Sequence, residues 1–160
     1  MEREISLPYQ EFENDSFLND ADQSLVKDAR KATADSYSPY SGFKVAAAGR
    51  LKDGTVLTGT NQENASYPVG ICAERTLLST VGALFPNAPI DTIVITYHNP
   101  EGHSDHPVAP CGICRQSLVE YENRTDASIR LILTGYTGKV IVIEKASALL
   151  PFSFSASDMA

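Results

Sequence analysis

The chain has 160 residues, 42% of them hydrophobic and 21% charged, values that suit one soluble globular domain. Its 20 acidic and 13 basic residues leave a net charge of −7 without any basic cluster, which argues against a nucleic-acid partner. No apolar run approaches the ~20 residues that cross a membrane, and the first residues do not read as a secretory signal, so we expect a cytoplasmic protein without a membrane partner.

The first part of the chain divides into an acidic extension and a helix. Residues 1–21 are acidic and irregular, and we expect them to be loosely ordered outside a single domain of residues 22–160. Apolar residues recur at near-helical spacing over residues 20–35, which predicts the first helix. The loop of residues 36–42 contains Pro and Gly and is expected to end that helix.

The rest of the chain alternates short strands with two more helices. β-branched and apolar runs between turn residues predict the strands, and longer periodic stretches predict the helices. In chain order these elements are strands 43–49 and 55–60, helix 72–84, strand 91–97, helix 111–121, and strands 128–134 and 139–143. Alternation in the centre favours parallel pairing there, with helices on both faces. The sequence therefore predicts an α/β fold, a three-layer α/β/α sandwich with a mixed five-stranded sheet.

A polar loop between residues 98 and 110 gathers histidines and carboxylates. Side chains of these types can bind a metal ion when they converge. Their spacing here is irregular and the segment is rich in Pro, so the pattern favours a solvated loop. The residues concerned are His98, Glu101, His103, Asp105 and His106.

The Cys111-Gly-Ile-Cys114 motif opens a predicted helix. Cysteines three residues apart on a helix face the same way, so both sulfurs can reach one ion. The positive end of the helix dipole also favours thiolates. Taken alone, the motif fits a zinc site, a redox pair or a chance occurrence.

The Cys72-Ala-Glu74 motif opens another predicted helix, and alone it fits a buried cysteine beside a solvated glutamate. The combination with Cys111 and Cys114 changes this interpretation. Three cysteines supply three metal ligands and leave a fourth position for water, which is typical of catalytic rather than structural zinc. Glu74 is then well placed to carry protons for that water.

Four segments resemble the sequence blocks of one family, the small homotetrameric cytidine deaminases. Asn61-Gln-Glu-Asn-Ala-Ser-Tyr-Pro-Val-Gly-Ile-Cys-Ala-Glu-Arg75 and Pro110-Cys-Gly-Ile-Cys-Arg-Gln116 are similar to the two signature blocks. Residues 36–45 are similar to the N-terminal block and residues 149–154 to the C-terminal one. The resemblance extends over residues 22–158.

This resemblance implies hydrolytic deamination of free cytidine and deoxycytidine to uridine and deoxyuridine plus ammonia, in pyrimidine salvage. Cys72, Cys111 and Cys114 would hold one Zn²⁺ per subunit, whose bound hydroxide attacks C4 of the base while Glu74 shuttles protons. Arg75 would hydrogen-bond the ligand sulfurs and so restore the acidity of the metal.

The resemblance also implies a nucleoside site shared between subunits of a homotetramer. Asn61 and Glu63 are expected to hold the ribose hydroxyls, because residues two apart on an extended segment point the same way. Phe43 is expected to pack on the pyrimidine ring, and Phe154 to enter the active site of an adjacent subunit. Further expected substrate contacts are Ala65, Tyr67 and Ala73.

The sequence departs from the family pattern at Gly42, where a larger residue is common, and over residues 44–48. Neither departure removes a catalytic group. Three alternatives remain open: a deaminase of another amino-heterocycle, a non-catalytic zinc scaffold and a nucleic-acid-editing deaminase. Asn61 and Glu63 favour a nucleoside over other heterocycles, and Glu74 argues against a scaffold. The acidic composition and the lack of a basic or aromatic stripe argue against nucleic acid.

Overall fold

The computed structural model describes residues 1–159, in which one mixed sheet carries helices on both faces. The strands are β1 (Gln10–Phe12), β2 (Lys44–Leu51), β3 (Val56–Thr60), β4 (Ile90–His98), β5 (Arg130–Thr134) and β6 (Val140–Ile143). The helices are α1 (Asp20–Ala32), α2 (Ala73–Leu84) and α3 (Gly112–Thr125). Within the described residues no helix is both long enough and apolar enough to span a bilayer.

The six strands lie in the order β1-β6-β5-β4-β2-β3. β4 and β5 pair in parallel, and every other neighbouring pair is antiparallel. A parallel pair needs a long crossover, which α3 provides between these two strands. The three-layer α/β/α prediction and the parallel pairing at the centre are confirmed, whereas the expected count of five strands is wrong.

The additional strand, β1, comes from the N-terminal extension. Gln10–Phe12 pairs antiparallel with Val140–Val142 of β6, and Glu11 accepts a hydrogen bond from Lys139 Nζ at 2.7 Å. Asp15 also forms a 2.8 Å ion pair with Arg30 of α1. Part of the segment expected to be loosely ordered is therefore joined to the domain. The physical reason is that β6 would otherwise present an unpaired edge of backbone N–H and C=O groups.

The two faces of the sheet hold separate hydrophobic cores. α1 lies on one face, where Leu25 and Val26 pack in a cluster with Val94 and Ile132. α2 and α3 lie on the other face, where the second cluster includes Leu77, Leu118, Ile93, Ile95 and Leu131. Alternate residues of β4 thus face opposite layers, as expected for a strand buried on both sides.

Candidate active site

The three cysteines meet where the N-termini of α2 and α3 converge. Cys72 is the N-cap residue of α2 and Cys111 that of α3, and neither side chain forms a capping hydrogen bond with the helix backbone. Both sulfurs are therefore free to face each other. Cys114 lies one turn into α3 and is buried. The structure thus brings together the three cysteines that the sequence analysis singled out, in a cluster that could hold a metal ion.

The spacing of the sulfurs fits a zinc ion. Tetrahedral zinc with Zn–S bonds of about 2.3 Å requires sulfurs about 3.8 Å apart. The Sγ atoms of Cys72 and Cys111 are 3.8 Å apart, and those of Cys111 and Cys114 are 3.5 Å apart. Over residues 1–159, these three form the one group of three or more His, Cys, Asp or Glu ligand atoms within 4.8 Å of one another.

One thiol of the cysteine cluster, that of Cys72, is more acidic than an ordinary cysteine. A hydrogen bond from the Cys114 thiol lowers the pKa of Cys72 to about 6, although burial and the Glu74 charge act in the opposite direction. The same pairing raises the pKa of Cys114. A thiolate is thus favoured at Cys72 near neutral pH, and the thiolate is the form that binds metal.

Glu74 lies in the first turn of α2, two residues after Cys72. Only 4% of the residue is exposed, and burial raises the pKa of its carboxyl group. The position depends on Gly59 of β3, because a Cβ there would lie 2.6 Å from the Ala73 carbonyl oxygen and 2.8 Å from Leu77 Cα. The glycine lets α2 press against the sheet, and so brings Glu74 to the cavity.

A cavity of about 600 Å³ opens in front of Cys72, Glu74 and Cys111. This volume lies in the range of small-molecule sites. Apolar residues form one part of its wall, and polar side chains form the rim. The apolar wall includes Val45, Ile71, Ile95 and Val108, and the polar rim includes Asn61, Glu63, Asn64 and Tyr67.

Asn61 and Glu63, the predicted ribose ligands, also hold the loop that precedes β2. Asn61 Oδ1 accepts hydrogen bonds from Ser36 Oγ at 2.5 Å and Val45 N at 2.8 Å, and its Nδ2 donates to the Phe43 carbonyl at 2.9 Å. Glu63 accepts from the Ser41 hydroxyl and from the Tyr40 backbone N at 2.9 Å. These bonds lower the pKa of Glu63, so its carboxylate is anionic at neutral pH.

The structure places seven of the twelve predicted site residues on the cavity wall and leaves five outside it. Tyr67 and Ala73 line it together with Asn61, Glu63, Glu74, Cys72 and Cys111, whereas the buried Cys114 does not. Phe43 and Ala65 do not form part of its wall, and the exposed Phe154 lies on α3, where Gln116 Nε2 donates to its carbonyl at 2.9 Å. Arg75 makes no hydrogen bond to a sulfur within residues 1–159 and faces a second cavity between α2 and α3.

Several wall residues carried no signal in the sequence. Tyr40 and Ser41 lie in the N-terminal block that resembles the family, but no chemical feature of these two residues marked them as part of a cavity wall. Ile95 lies in the apolar run Ile93–Ile95 of β4, and Val108 lies in a polar loop. Only the packing of β4 and the loop against α2 reveals that these two side chains face the cavity.

Known proteins are similar to this chain in both sequence and fold. Residues 19–127 match the family model described as the cytidine and deoxycytidylate deaminase zinc-binding region. A cytidine deaminase of Halalkalibacterium halodurans is 39% identical over 137 residues, 86% of this chain and 96% of that protein. One from Sporosarcina psychrophila is 35% identical over 137 residues, 86% of this chain and 93% of that protein. The crystal structure of cytidine deaminase from Burkholderia pseudomallei superimposes with a TM-score of 0.71 at 39% identity, over 82% of this chain and 97% of that one. The chain belongs to the cytidine and deoxycytidylate deaminase family.

Proposed function

We propose that this protein is a zinc-dependent cytidine deaminase that hydrolyses free cytidine and deoxycytidine to uridine and deoxyuridine plus ammonia, as a step of pyrimidine salvage. The observation that carries the proposal is a cluster of three sulfurs at zinc-binding distances beside a cavity that Cys72, Cys111 and the buried Glu74 line. Family membership and the 39% identity with a named cytidine deaminase support the same activity.

The zinc ligands and Glu74 have separate roles in the proposed reaction. Zinc held by three cysteines with one open position would make water nucleophilic near neutral pH. Glu74 takes one proton from the attacking water and delivers it to ring N3 of the base. It then takes the second proton from the oxygen added at C4 and passes it to the amine, which leaves as ammonia while the C4 carbonyl forms. One water is consumed and one ammonia released, so the carboxyl group ends each cycle in its starting state. The apolar wall excludes bulk water from these transfers.

Arg75 has an electrostatic role in this proposal. Three thiolates on Zn²⁺ leave a net charge of −1, which weakens the metal as a Lewis acid. The positive charge of Arg75 already acts to lower the pKa of Cys72, which supports an effect on the sulfurs. We propose that Arg75 turns toward them when the metal is bound.

The sugar end of the cavity supports a nucleoside substrate. Asn61 Nδ2 donates to the Phe43 carbonyl and keeps a second N–H, and the Glu63 carboxylate keeps acceptor capacity beyond its three loop bonds. These are the donor and acceptor that two ribose hydroxyls require. Phe43, Ala65, Tyr67 and Ala73 are proposed as further substrate contacts, of which Tyr67 and Ala73 line the cavity.

Free nucleosides should be better substrates than their 5′-monophosphates. Glu63 is anionic and the chain has a net charge of −7, so an added phosphate dianion meets repulsion. We expect kcat/KM for cytidine to exceed that for cytidine monophosphate by about tenfold or more. Ultraviolet assays with cytidine, deoxycytidine, their monophosphates and cytosine measure the ratios. Equal use of nucleoside and monophosphate would contradict the nucleoside-specific pocket.

The C-terminal segment supports an active site that is shared between subunits of a homotetramer. Phe152 is 95% exposed and Phe154 is 58% exposed, an unusual state for aromatic rings near the end of a small domain. Arg115 Nη1 donates to the Leu149 carbonyl at 3.1 Å, so α3 fixes the start of the segment. Phe154 does not line its own chain's cavity, which is consistent with a role in a neighbour's.

Phe154→Ala should raise KM for cytidine by about tenfold. Burial of a Phe ring stabilises a contact by about 1.5–3 kcal/mol, and part of that free energy contributes to binding of the substrate.

Truncation after Ala148 should lower both activity and the molecular mass measured by light scattering. Phe17→Ala is the matched control, since Phe17 is 63% exposed on the N-terminal extension. A truncated chain that is a fully active monomer would show that the segment only covers its own domain.

A further inference from the structure

Two aromatic rings stack beside the cavity. The rings of Phe43 and Tyr97 have centroids 4.8 Å apart and planes inclined by 21°. Tyr97 is almost fully buried in β4, with 2% of its surface exposed, whereas Phe43 is half-buried in the segment just before β2. The buried ring therefore supports the more accessible one from behind.

The pair lies on the same face of the sheet as the cavity wall. Tyr97 is paired with Val45 across β2 and β4, and it follows Ile95 by two residues. Val45 and Ile95 both line the cavity. Since side chains two residues apart on a strand share a face, the Tyr97 ring lies next to Ile95 on the face of the sheet that borders the cavity. The Phe43 ring stacks on Tyr97 just outside the lining residues.

His106 holds the Tyr97 ring from the other side. The Tyr97 hydroxyl forms a hydrogen bond with the His106 ring, 2.9 Å from Nδ1 and 3.2 Å from Nε2. The imidazole meets the phenol ring edge-on, with centroids 5.4 Å apart and planes inclined by 62°. Burial raises the pKa of Tyr97, so the phenol stays neutral in this contact. The His106 side chain is 68% exposed, as expected for a residue of a solvated loop, and it also contacts Tyr97.

The loop that carries His106 is itself fixed to the sheet. The Thr137 backbone N donates to the Ser104 carbonyl at 3.0 Å. A Cβ at Gly135 or Gly138 would overlap the carbonyl oxygen of Ser104 or Asp105, so the loop lies directly on the β5–β6 turn. The Gly135 carbonyl in turn accepts a 3.0 Å hydrogen bond from Thr96 Oγ1 of β4. His106 therefore has a rigid support.

We propose that Tyr97 and His106 are positioning residues that hold the Phe43 ring at the mouth of the cavity, against the pyrimidine of a bound nucleoside. The proposal rests on the proposed function, in which Phe43 contacts the base. Neither residue touches the reacting atoms in this scheme. Their effect passes through the stack to Phe43, so it should appear in binding of the base and leave the zinc site unchanged.

Kinetics of Tyr97→Phe and His106→Ala test this chain of contacts. Tyr97→Phe keeps the stack but removes the hydroxyl, and His106→Ala removes its partner. Each should raise KM for cytidine by about 2- to 10-fold, the range expected for an aromatic contact, with kcat changed less than about twofold. Zinc content should stay the same. His103→Ala is the control, because the His103 side chain is 90% exposed in the same loop.

Coupling to Phe43 separates positioning from general stability. In a Phe43→Ala background, adding His106→Ala should raise KM no further, because the ring that His106 positions is already gone. A full additional increase in KM would overturn the proposal. So would a lowered melting temperature in His106→Ala with an unchanged KM, since that result indicates a role in folding alone.

The Phe43 ring provides a readout that does not need turnover. Ring resonances of Phe43, assigned by their loss in Phe43→Ala, should shift in Tyr97→Phe and His106→Ala and stay in place in His103→Ala. Unshifted Phe43 signals would overturn the positioning role whatever the kinetics. If the parent protein turns over no nucleoside, the proposed function fails, and these signals still decide whether the two residues position Phe43.

Discussion

Glu74→Gln should lower the rate of cytidine deamination by at least about 10²–10⁴-fold, the usual loss when a general acid–base is removed. Glutamine keeps the size of the side chain and can still form hydrogen bonds, but it cannot take up and release a proton at each cycle. Glu74 is 4% exposed and lines the cavity together with Cys72 and Cys111. Steady-state kinetics with cytidine measure the effect.

A measurement of bound zinc distinguishes loss of the proton carrier from damage to the metal site. Glu74 contributes no ligand to the three-sulfur cluster, so Glu74→Gln should keep about one zinc per subunit. Glu101→Gln, an exposed change in the loop before α3, is the matched control and should leave the rate unaltered. A near-native rate for Glu74→Gln would assign the proton transfer to another group.

Cys111→Ser should remove most of the bound zinc and, with it, nearly all activity. The Cys111 sulfur lies 3.8 Å from that of Cys72 and 3.5 Å from that of Cys114, so it completes the three-sulfur set. A serine hydroxyl is a much poorer zinc ligand than a thiolate, because it does not ionise near neutral pH. Metal analysis of the purified variant, compared with the parent chain, gives the result directly.

Gly112→Ser is the matched control for this loss. It adds a hydroxyl next to Cys111 without removing a sulfur, and a Cβ at Gly112 meets nothing within 4 Å. This variant should retain zinc. Metal bound to the native state stabilises it, so Cys111→Ser should also unfold at a lower temperature in the presence of zinc than Gly112→Ser does. Full zinc retention by Cys111→Ser would remove Cys111 from the ligand set.

Elements with strong local patterns were predictable from the sequence. The strand expected over residues 91–97 is observed as Ile90–His98, and the helix expected over 72–84 as Ala73–Leu84. A run of β-branched residues specifies the strand, and the Pro that follows the helix ends it. Both signals act over a few neighbouring residues and do not depend on the rest of the fold. α3 continues to Thr125, beyond the expected end at residue 121. Burial of Glu122, which accepts hydrogen bonds from Ile129 N and Ala146 N, extends it.

β1 could not be predicted because its stability comes from a distant partner. Gln10–Phe12 has three residues, too few for an alternating pattern, and Gln and Glu are not strand-forming residues. The strand exists through its backbone pairing with β6, some 130 positions later in the chain, and through the Lys139–Glu11 ion pair. Sequence periodicity gives no information on backbone pairing between segments that lie far apart in the chain.

The chemical residues of the candidate site were easier to predict than its walls. Three cysteines and a nearby glutamate in two short motifs point to metal chemistry because their side chains have few other uses together. Ile95 and Val108 are ordinary apolar residues, and they face the cavity only because of how β4 and the following loop pack. The hydrogen bond between Tyr97 and His106 likewise joins residues whose types carry no hint of a partner.

Conversion of cytidine by the zinc-loaded protein tests the central claim most directly. Purified chain with its zinc measured should be mixed with cytidine, the ultraviolet change followed, and uridine and ammonia quantified at the end. Uridine and ammonia in equal amounts, formed by the parent chain and not by Glu74→Gln, are the expected result. A fully zinc-loaded parent chain that forms neither product from cytidine or deoxycytidine would contradict the assignment of this site as a nucleoside deaminase.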